Sequence, residues 1–345
     1  MEQKKVYHYT QADFKSDQEV KWCPGCGDHF ILAAVQKAMP AIAEIAGRPH
    51  SQFAIVSGIG CSSRFPYYMK IYGFHGIHGR ANAIATGLKV ANPNLSVFVA
   101  TGDGDSLAIG GNHFIHAIRR NIDMNVILFN NEIYGLTKGQ YSPTTKLGKV
   151  TKTSPYGTIE KPFNPGELII GAKGTFFARS IDVEVDITEK CLVRAAQHDG
   201  FSITEVLQNC VIFNDKTHAA FAADKATRAE HTIYLHDGEK MLFGANHDKG
   251  LVLDGFKLKV VTVGQDGYTL DDILVHDSHE PATYIHNALA SMKYPDYPVA
   301  LGVIRDVADK TYDDEVVRQI EEVTAASKIK CVDDLLNSGE TWEIA

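Results

Sequence analysis

The stretch Gly102-Asp103-Gly104-Asp105 follows a run of apolar residues at 96–100, and the pair Asn130-Asn131 follows a second such run at 125–129. Neither run alternates with polar residues, which is typical of a strand that is buried on both faces. Segments with a helical spacing of apolar residues separate these and similar runs. The sequence therefore predicts an α/β fold with a doubly wound, mostly parallel sheet. Further strands are expected at 53–57 and 202–207, and helices at 28–39 (Asp28 as N-cap, Pro40 breaking or resetting the helix), 82–91 and 107–120.

Two polar signatures stand at the carboxyl ends of neighbouring predicted strands, where ligands bind in such sheets. Asp103 supplies a carboxylate and Asn131 an amide, and hard oxygen donors of this kind suit Mg²⁺. The adjacent glycines allow main-chain N–H groups to approach a phosphate closely. This arrangement predicts a site for a Mg²⁺-bridged diphosphate.

The composition excludes several classes of function. The chain has 345 residues, with 34 Lys and Arg against 42 Asp and Glu, a formal charge of −8. This acidic balance argues against a nucleic-acid-binding surface. The longest apolar stretches fall far short of the about 20 residues of a membrane span, and the N-terminal residues lack the apolar segment of a secretory signal. We therefore expect a cytoplasmic protein with no nucleic-acid or membrane partner.

Cysteines provide a second chemical signal. Cys23 and Cys26 form a CxxC pair, and Cys61 lies in a glycine-rich loop after a predicted strand. Thiolates at such positions suit an iron–sulfur cluster or zinc, although zinc ribbons usually supply two CxxC pairs, and inert cysteines are a further alternative. The residues alone leave the fourth ligand open among Cys191, Cys210 and Cys331.

Taken together, the motifs resemble the beta subunits of 2-oxoacid:ferredoxin oxidoreductases, most of all those of the 2-oxoglutarate enzyme. Gly-Asp-Gly followed by Asn-Asn is similar to the thiamine-diphosphate signature. The resemblance covers roughly residues 20–215 and is carried by Trp-Cys-Pro-Gly-Cys-Gly-Asp-His at 22–29, Gly-Ile-Gly-Cys-Ser at 58–62, His-Gly-Arg-Ala at 78–81, the turn at 102–105 and Tyr-Gly-Leu-Thr-Lys-Gly-Gln at 134–140.

This resemblance implies three cofactors: thiamine diphosphate, Mg²⁺ and a [4Fe–4S] cluster. The implied Mg²⁺ ligands are the side chains of Asp103 and Asn131 and the main-chain carbonyl of Ile133. The implied cluster ligands are Cys23, Cys26, Cys61 and Cys210, which leaves Cys191 and Cys331 as structural. The implied thiamine-diphosphate contacts are Ile59, Gly60, Cys61, Ser62, His78, Gly104, Asp105, Gly135 and Leu136.

Three basic residues are the candidates for catalysis and substrate binding. The resemblance places Arg64 and His78 near the reacting groups, and a guanidinium at Arg64 is suited to a 2-oxoacid carboxylate. A surface arginine paired with an acid is the alternative for Arg64. The segment 138–144, Lys-Gly-Gln-Tyr-Ser-Pro-Thr, resembles the 2-oxoglutarate version of the family, which makes Lys138 the candidate partner of a second carboxylate.

The implied reaction is the coenzyme A-dependent oxidative decarboxylation of 2-oxoglutarate to succinyl-CoA and CO₂. Electrons would pass through the cluster to ferredoxin, and the reverse carboxylation is also implied. Pyruvate or another 2-oxoacid as substrate, a non-oxidative decarboxylase or carboligase half, and a zinc-stabilised interaction module are the alternatives. Because residues 20–215 account for only half of a thiamine-diphosphate site, an alpha subunit is expected to supply the rest, in a dimer of heterodimers.

Outside the motifs, the sequence predicts an N-terminal arm at 1–20, a cofactor-binding domain at 21–215 and a C-terminal extension at 216–345. The extension is expected to contain strands within 251–263 and a helix at 313–326. We interpret its histidines at 276, 279 and 286 as solvated loop and helix residues.

Overall fold

A computed structural model describes residues 6–344 of the chain. Its strands are β1 (Phe53–Ser57), β2 (Tyr72–His75), β3 (Ser96–Gly102), β4 (Met124–Asn130), β5 (Phe176–Ile181), β6 (Phe201–Leu207), β7 (Thr232–Leu235), β8 (Leu242–Phe243), β9 (Lys249–Asp254), β10 (Lys257–Thr262) and β11 (Val299–Asp306). Its helices are α1 (Asp28–Ala46), α2 (Phe65–Tyr68), α3 (Ala81–Ala91), α4 (Asp103–Leu107), α5 (Gly111–Arg119), α6 (Pro165–Gly171), α7 (Val185–Gln197), α8 (Ala219–Ala222), α9 (Lys225–His231), α10 (Tyr284–Ser291), α11 (Tyr312–Ala326) and α12 (Val332–Leu336).

Within the described residues, eight strands form one sheet in the order β2-β1-β3-β4-β6-β5-β11-β7. All neighbours in this sheet are parallel except β11 and β5, which run antiparallel. Alternate residues of the central strands contact opposite layers of helices. Ile127 packs in the core that holds α1 and part of α7, whereas Val126 and Leu128 pack in the core that holds α3 and α5. The prediction of a doubly wound, mostly parallel sheet is confirmed.

The start and the end of α1 differ from the sequence prediction. The helix is capped by Gly27, and Asp28 is its first residue, buried rather than free to cap the N-terminus. The helix also continues through Pro40 to Ala46. A proline inside a helix removes one hydrogen bond, but here the buried residues Ile42 and Ala43 hold the last turns against the core.

The predicted helix at 107–120 is two helices, α4 and α5, which makes that prediction wrong at its start. The chain leaves helical geometry at Ala108, and Gly110 and Gly111 are poor helix formers. Gly110 instead donates its N–H to the carbonyl of Asp105 and lies against Gly79, where a methyl group on Gly110 would come within 2.9 Å of Gly79 Cα. The break therefore brings the loop at 78–79 next to the turn that contains Asp105.

Part of the chain after residue 215 belongs to the main sheet. Strand β11 pairs with β5 and β7, and β8, β9 and β10 form a separate antiparallel sheet within the described chain. The strands predicted within 251–263 and the helix predicted at 313–326 are confirmed as β9, β10 and α11. The division into domains at residue 215 stays a prediction.

Two of the C-terminal histidines are not solvated, so that interpretation was wrong for them. His276 and His286 are buried, and their Nε2 atoms lie 2.8 Å from the main-chain carbonyls of Val303 and Asp277. Burial lowers the pKa of both, so both are neutral packing residues that hold loops to β11. His279 is half-exposed and contacts the carbonyl of Asp306.

The described part of the predicted N-terminal arm packs against the domain. Phe14 is fully buried in the same core as α1, and its carbonyl accepts a hydrogen bond from the N–H of Lys70. Residues 1–5 of the predicted arm lie outside the described residues. None of the helices found between residues 6 and 344 has both the length and the apolarity that crossing a bilayer requires.

Candidate functional site

Three loops converge at the carboxyl ends of β1, β3 and β4 and enclose a cavity of about 160 Å³. They are the segments 59–62, 102–105 and 131–137, joined by His78. Residues that the sequence predicted for the cofactor site line this one cavity: Ile59, Gly60, Cys61, Ser62, His78, Asp103, Gly104, Asp105, Asn131, Ile133, Gly135 and Leu136.

Asp103 is the buried carboxylate of this cavity. Its Oδ2 accepts hydrogen bonds from the hydroxyls of Ser142 and Thr144, and no side-chain donor to Oδ1 exists among the described residues. Burial raises the pKa of Asp103 to about 6, against the opposing effect of these two hydroxyls. Two side-chain hydroxyls thus hold Oδ2, and the carboxylate keeps lone pairs that could accept a cation.

Asn131 supplies the second oxygen. Its Oδ1 accepts the N–H of Ile133 at 3.1 Å, and its Nδ2 donates to Oε1 of Gln208 at 2.7 Å. A carbonyl oxygen has two lone pairs, so Oδ1 keeps capacity for a metal. The carboxylate, the amide and the main chain at Ile133 make a set of hard donors that fits Mg²⁺.

The side chain of Asp105 holds the loops of the cavity together. Its Oδ1 accepts the N–H groups of Ile59 and Gly79, at 3.1 and 2.7 Å, and its Oδ2 accepts the hydroxyl of Thr101 at 2.8 Å. The carboxylate therefore ties two loops of the cavity to the end of β3. Asp105 also lines the cavity, and its implied contact with a diphosphate stays a prediction.

Gly104 lies under the ring of Tyr134. A methyl group at Gly104 would come within 2.2 Å of that ring, and the Tyr134 hydroxyl donates to the carbonyl of Gly104 at 3.1 Å. Only glycine lets the Tyr134 ring pack this closely against the turn after β3.

The wall of the cavity around Gly135 contains cysteine sulfur. A methyl group at Gly135 would lie 3.5 Å from Sγ of Cys61 and 3.6 Å from Sγ of Cys210. Burial raises the pKa of Cys61 to about 12, and the nearby acidic groups Asp28, Cys210 and Cys23 add to this effect. Burial, with Asp28, Cys210 and Cys61, also raises the pKa of Cys26. The four cysteines implied by the resemblance are therefore electrostatic neighbours.

These thiols are not gathered into a preformed site for one metal ion. Across residues 6–344, no three His, Cys, Asp or Glu side chains are grouped so as to hold a single metal ion. Only the sulfurs of Cys61 and Cys210 are placed beside Gly135, and thiolates there suit an iron–sulfur cluster or zinc.

The remaining cysteines and two of the three basic candidates do not line the cavity. Cys191 is buried in a small apolar core, and Cys331 precedes α12 at the surface. Arg64 and Lys138 are absent from the described residues that line the cavity. Arg64 donates to the carbonyl of Lys21 at 3.3 Å, and its positive charge opposes the rise in the pKa of Cys61. Lys138 is exposed on the loop beyond Thr137.

Sequence reasoning missed several residues of the site. Ser142 and Thr144 belong to the segment 138–144, which the sequence analysis used only for substrate choice, and Gln208 was not singled out. Trp22 was noted only as part of the motif at 22–29, and it donates its indole N–H to the carbonyl of Cys61 at 2.7 Å. The signal that could have found Ser142 and Thr144 is weak, because small hydroxyl residues in a loop are common in turns.

The cavity and its glycine-rich strand ends define a thiamine-diphosphate enzyme fold, and comparison with known proteins agrees. The family model described as "Thiamine pyrophosphate enzyme, C-terminal TPP binding domain" matches residues 58–206. The chain belongs more specifically to the beta-subunit family of 2-oxoglutarate and related 2-oxoacid:ferredoxin oxidoreductases, because it is 46% identical to the 2-oxoglutarate oxidoreductase subunit KorB of Mycobacterium tuberculosis over 96% of this chain and 88% of that one.

Two further matches agree with that family. The beta subunit of 2-oxoacid:ferredoxin oxidoreductase 1 from Aeropyrum pernix is 45% identical over 64% of this chain and 68% of its own length. A solved structure of the 2-oxoglutarate:ferredoxin oxidoreductase from Magnetococcus marinus, with 2-oxoglutarate, coenzyme A and succinyl-CoA bound, matches with a TM-score of 0.75 and 29% identity over 97% of both chains.

Proposed function

We propose that the chain is the beta subunit of an enzyme that oxidatively decarboxylates 2-oxoglutarate to succinyl-CoA and CO₂ with ferredoxin as electron acceptor. The observation that carries this proposal is the shared wall at Gly135, with the Asp103–Asn131 cavity on one side and the sulfurs of Cys61 and Cys210 beside it. A decarboxylase that passes on no electrons has no use for thiols at that place.

Asp103, Asn131 and the main-chain carbonyl of Ile133 would hold Mg²⁺, and the main chain at Gly104, Asp105, Gly135 and Leu136 would face the diphosphate. When bound, thiamine diphosphate supplies a carbanion for attack on the keto carbon and an electron sink for loss of CO₂. Ile59, Gly60 and Ser62 also line the cavity, so they would contact the cofactor.

Cys23, Cys26, Cys61 and Cys210 would hold a [4Fe–4S] cluster. The cluster is net negative, and the N-terminus of α1 begins two residues after Cys26, which favours negative charge at this place. When held there, such a group would supply one-electron transfer toward ferredoxin.

Substrate binding falls to the basic residues around the cavity. His78 lines the cavity and is exposed, which suits a group that contacts the substrate or cofactor. Arg64 would bind the 2-oxoacid carboxylate, and Lys138 the second carboxylate that distinguishes 2-oxoglutarate from pyruvate. The main chain at Lys138 has φ 76°, an uncommon conformation for a residue with a side chain, which sets the direction in which the lysine leaves the loop.

An alpha subunit would complete the site. Several exposed apolar side chains lie at the cavity or on the edge strand β2. Ile109 and Leu136 line the cavity, whereas Tyr72 and Phe74 lie on β2 and Ile77 lies in the loop that follows it. Apolar surface of this kind marks a protein interface. The assembled enzyme would be a dimer of heterodimers in the cytoplasm. Coenzyme A would be the acyl acceptor, and the enzyme would also catalyse the reverse carboxylation.

The test is turnover by the chain purified anaerobically together with its alpha partner. We expect reduction of ferredoxin that requires both 2-oxoglutarate and coenzyme A, with pyruvate a much poorer substrate. Asp103→Asn serves as the inactive control. Turnover by the isolated beta chain would contradict the shared site, and equal turnover of pyruvate would contradict the substrate assignment.

A further inference from the structure

Gln208 lies between the two proposed inorganic centres. It follows the last residue of β6, its side chain is fully buried, and its main-chain N–H donates to the carbonyl of Asn130 at 2.9 Å. Its amide contacts both sides: Oε1 accepts from Nδ2 of Asn131 at 2.7 Å, and Nε2 donates to Sγ of Cys26 at 3.3 Å. One side chain thus joins a proposed Mg²⁺ ligand to a proposed cluster ligand.

The hydrogen bonds fix which way the amide points. Asn131 accepts the N–H of Ile133 through Oδ1, so its Nδ2 must face Gln208. Gln208 therefore presents its oxygen to Asn131 and its nitrogen to Cys26. The two protons of Nε2 go to Cys26 Sγ and to the carbonyl of Asn209, 2.6 Å away. Both N–H bonds of this amide are committed, which leaves no freedom to flip.

The surrounding chain makes room for this bridge. Gly27, the N-cap of α1, packs against Asp182 and Gln208, and a methyl group at Gly27 would come within 2.0 Å of Asp182 Oδ2 and 2.8 Å of Gln208 Cγ. Gln208 also stands two residues before Cys210, so one short segment after β6 supplies both a proposed cluster ligand and the bridge. Displacing this segment would move both centres.

We propose that Gln208 is a positioning residue for both centres: it orients the amide of Asn131 toward Mg²⁺ and donates a hydrogen bond to the Cys26 sulfur. This inference rests on the proposed function. The first contact matters because partners that orient a metal ligand contribute strongly to metal affinity. The second matters because an N–H···S bond stabilises the more negative, reduced cluster and so raises its reduction potential.

The test uses Gln208→Met in the complex of both subunits, purified anaerobically. Methionine has nearly the same length but neither donates nor accepts as the amide does. We expect unchanged iron content, a more negative midpoint potential in an EPR-monitored titration, and roughly a tenfold higher Mg²⁺ concentration for half-maximal thiamine-diphosphate binding. Neither measurement requires turnover.

Gln36→Met is the matched control. Gln36 is also a buried glutamine, on α1, but its Nε2 donates to the main-chain carbonyl of Tyr68 at 3.1 Å, away from both centres. We expect this control to alter thermal stability while leaving the potential and the Mg²⁺ requirement unchanged. A purely structural role of Gln208 would give the same result as the control.

The outcomes separate cleanly. If Gln208→Met keeps its iron and neither the potential nor the Mg²⁺ requirement moves, the inference is wrong, and movement of only one of them refutes the shared role. If Gln208→Met loses iron, Gln208→Asn decides in the same way, because it keeps an amide that is too short to reach both partners. A wild-type complex without iron or without Mg²⁺-dependent cofactor binding would instead refute the proposed function.

Discussion

The hydroxyl of Thr144 provides a sharp test of the magnesium site. Thr144 donates to Oδ2 of Asp103 and lies 3.0 Å from Oδ1 of Asn130. It has one proton for two acceptors, and the closer contact is to the carboxylate. Thr144→Val keeps the shape of the side chain and removes that proton, so Asp103 retains only the hydroxyl of Ser142.

This geometry determines how much Mg²⁺ affinity Thr144→Val should lose. A hydrogen bond to a charged group contributes about 1.5–3 kcal/mol, and partners of metal ligands typically change metal affinity by about 10–100-fold. Because one of two hydroxyl donors remains, we expect the low end, roughly tenfold weaker Mg²⁺ binding, which corresponds to about 1.4 kcal/mol. Removing Ser142 as well should cost more than either single change, with coupling between the two because they share one oxygen.

The assay is a titration of thiamine-diphosphate binding against Mg²⁺ in the complex of both subunits. Thr144→Ser should restore the wild-type requirement, since it keeps the hydroxyl. Thr158→Val is the matched control, because Thr158 is also buried but donates to the main-chain carbonyl of Lys146 at 2.7 Å. An identical Mg²⁺ requirement for wild type and Thr144→Val would refute this reasoning.

Three further predictions concern Arg64, Lys138 and His218. Arg64→Ala should lower kcat/KM for the 2-oxoacid at least roughly tenfold, about 1.4 kcal/mol of transition-state stabilisation, and unchanged steady-state kinetics would discard its role. Lys138→Met should raise KM for 2-oxoglutarate without changing KM for pyruvate, and a parallel change in both would remove the lysine from substrate choice. Burial lowers the pKa of His218 from 6.5 to about 4, so the unfolded chain binds more protons between these values. The free energy of unfolding should therefore fall by about 2 kcal/mol between pH 6.5 and pH 5. In thermal unfolding measured over that pH range, His218→Gln should lose less stability than the wild type.

The strand ends were the most predictable part of the molecule. Asp103 and Asn131 follow apolar runs that are typical of buried strands, and parallel strands bring their carboxyl ends to one edge. The place of the Cys61 loop at the same cavity was implied by the family resemblance. The prediction for Asp103 and Asn131 needed only the order of strands and loops, which local patterns carry well.

What the sequence could not supply were contacts made by irregular chain. Ser142 and Thr144 lie in a long loop with neither helix nor strand, so no periodicity shows that it folds back onto Asp103. The break between α4 and α5 depends on the close approach of Gly110 to Gly79, which is a tertiary contact. Buried histidines such as His276 are equally invisible, because their burial depends on β11, which is distant in sequence.

The most direct test of the account is the content of iron, acid-labile sulfide, zinc and thiamine diphosphate in the complex of both subunits, purified without oxygen. The account predicts roughly four iron and four sulfide with one thiamine diphosphate per chain, and loss of iron when Cys61 or Cys210 is replaced by serine. Zinc in place of iron, or a complex that binds no thiamine diphosphate in the presence of Mg²⁺, would contradict it.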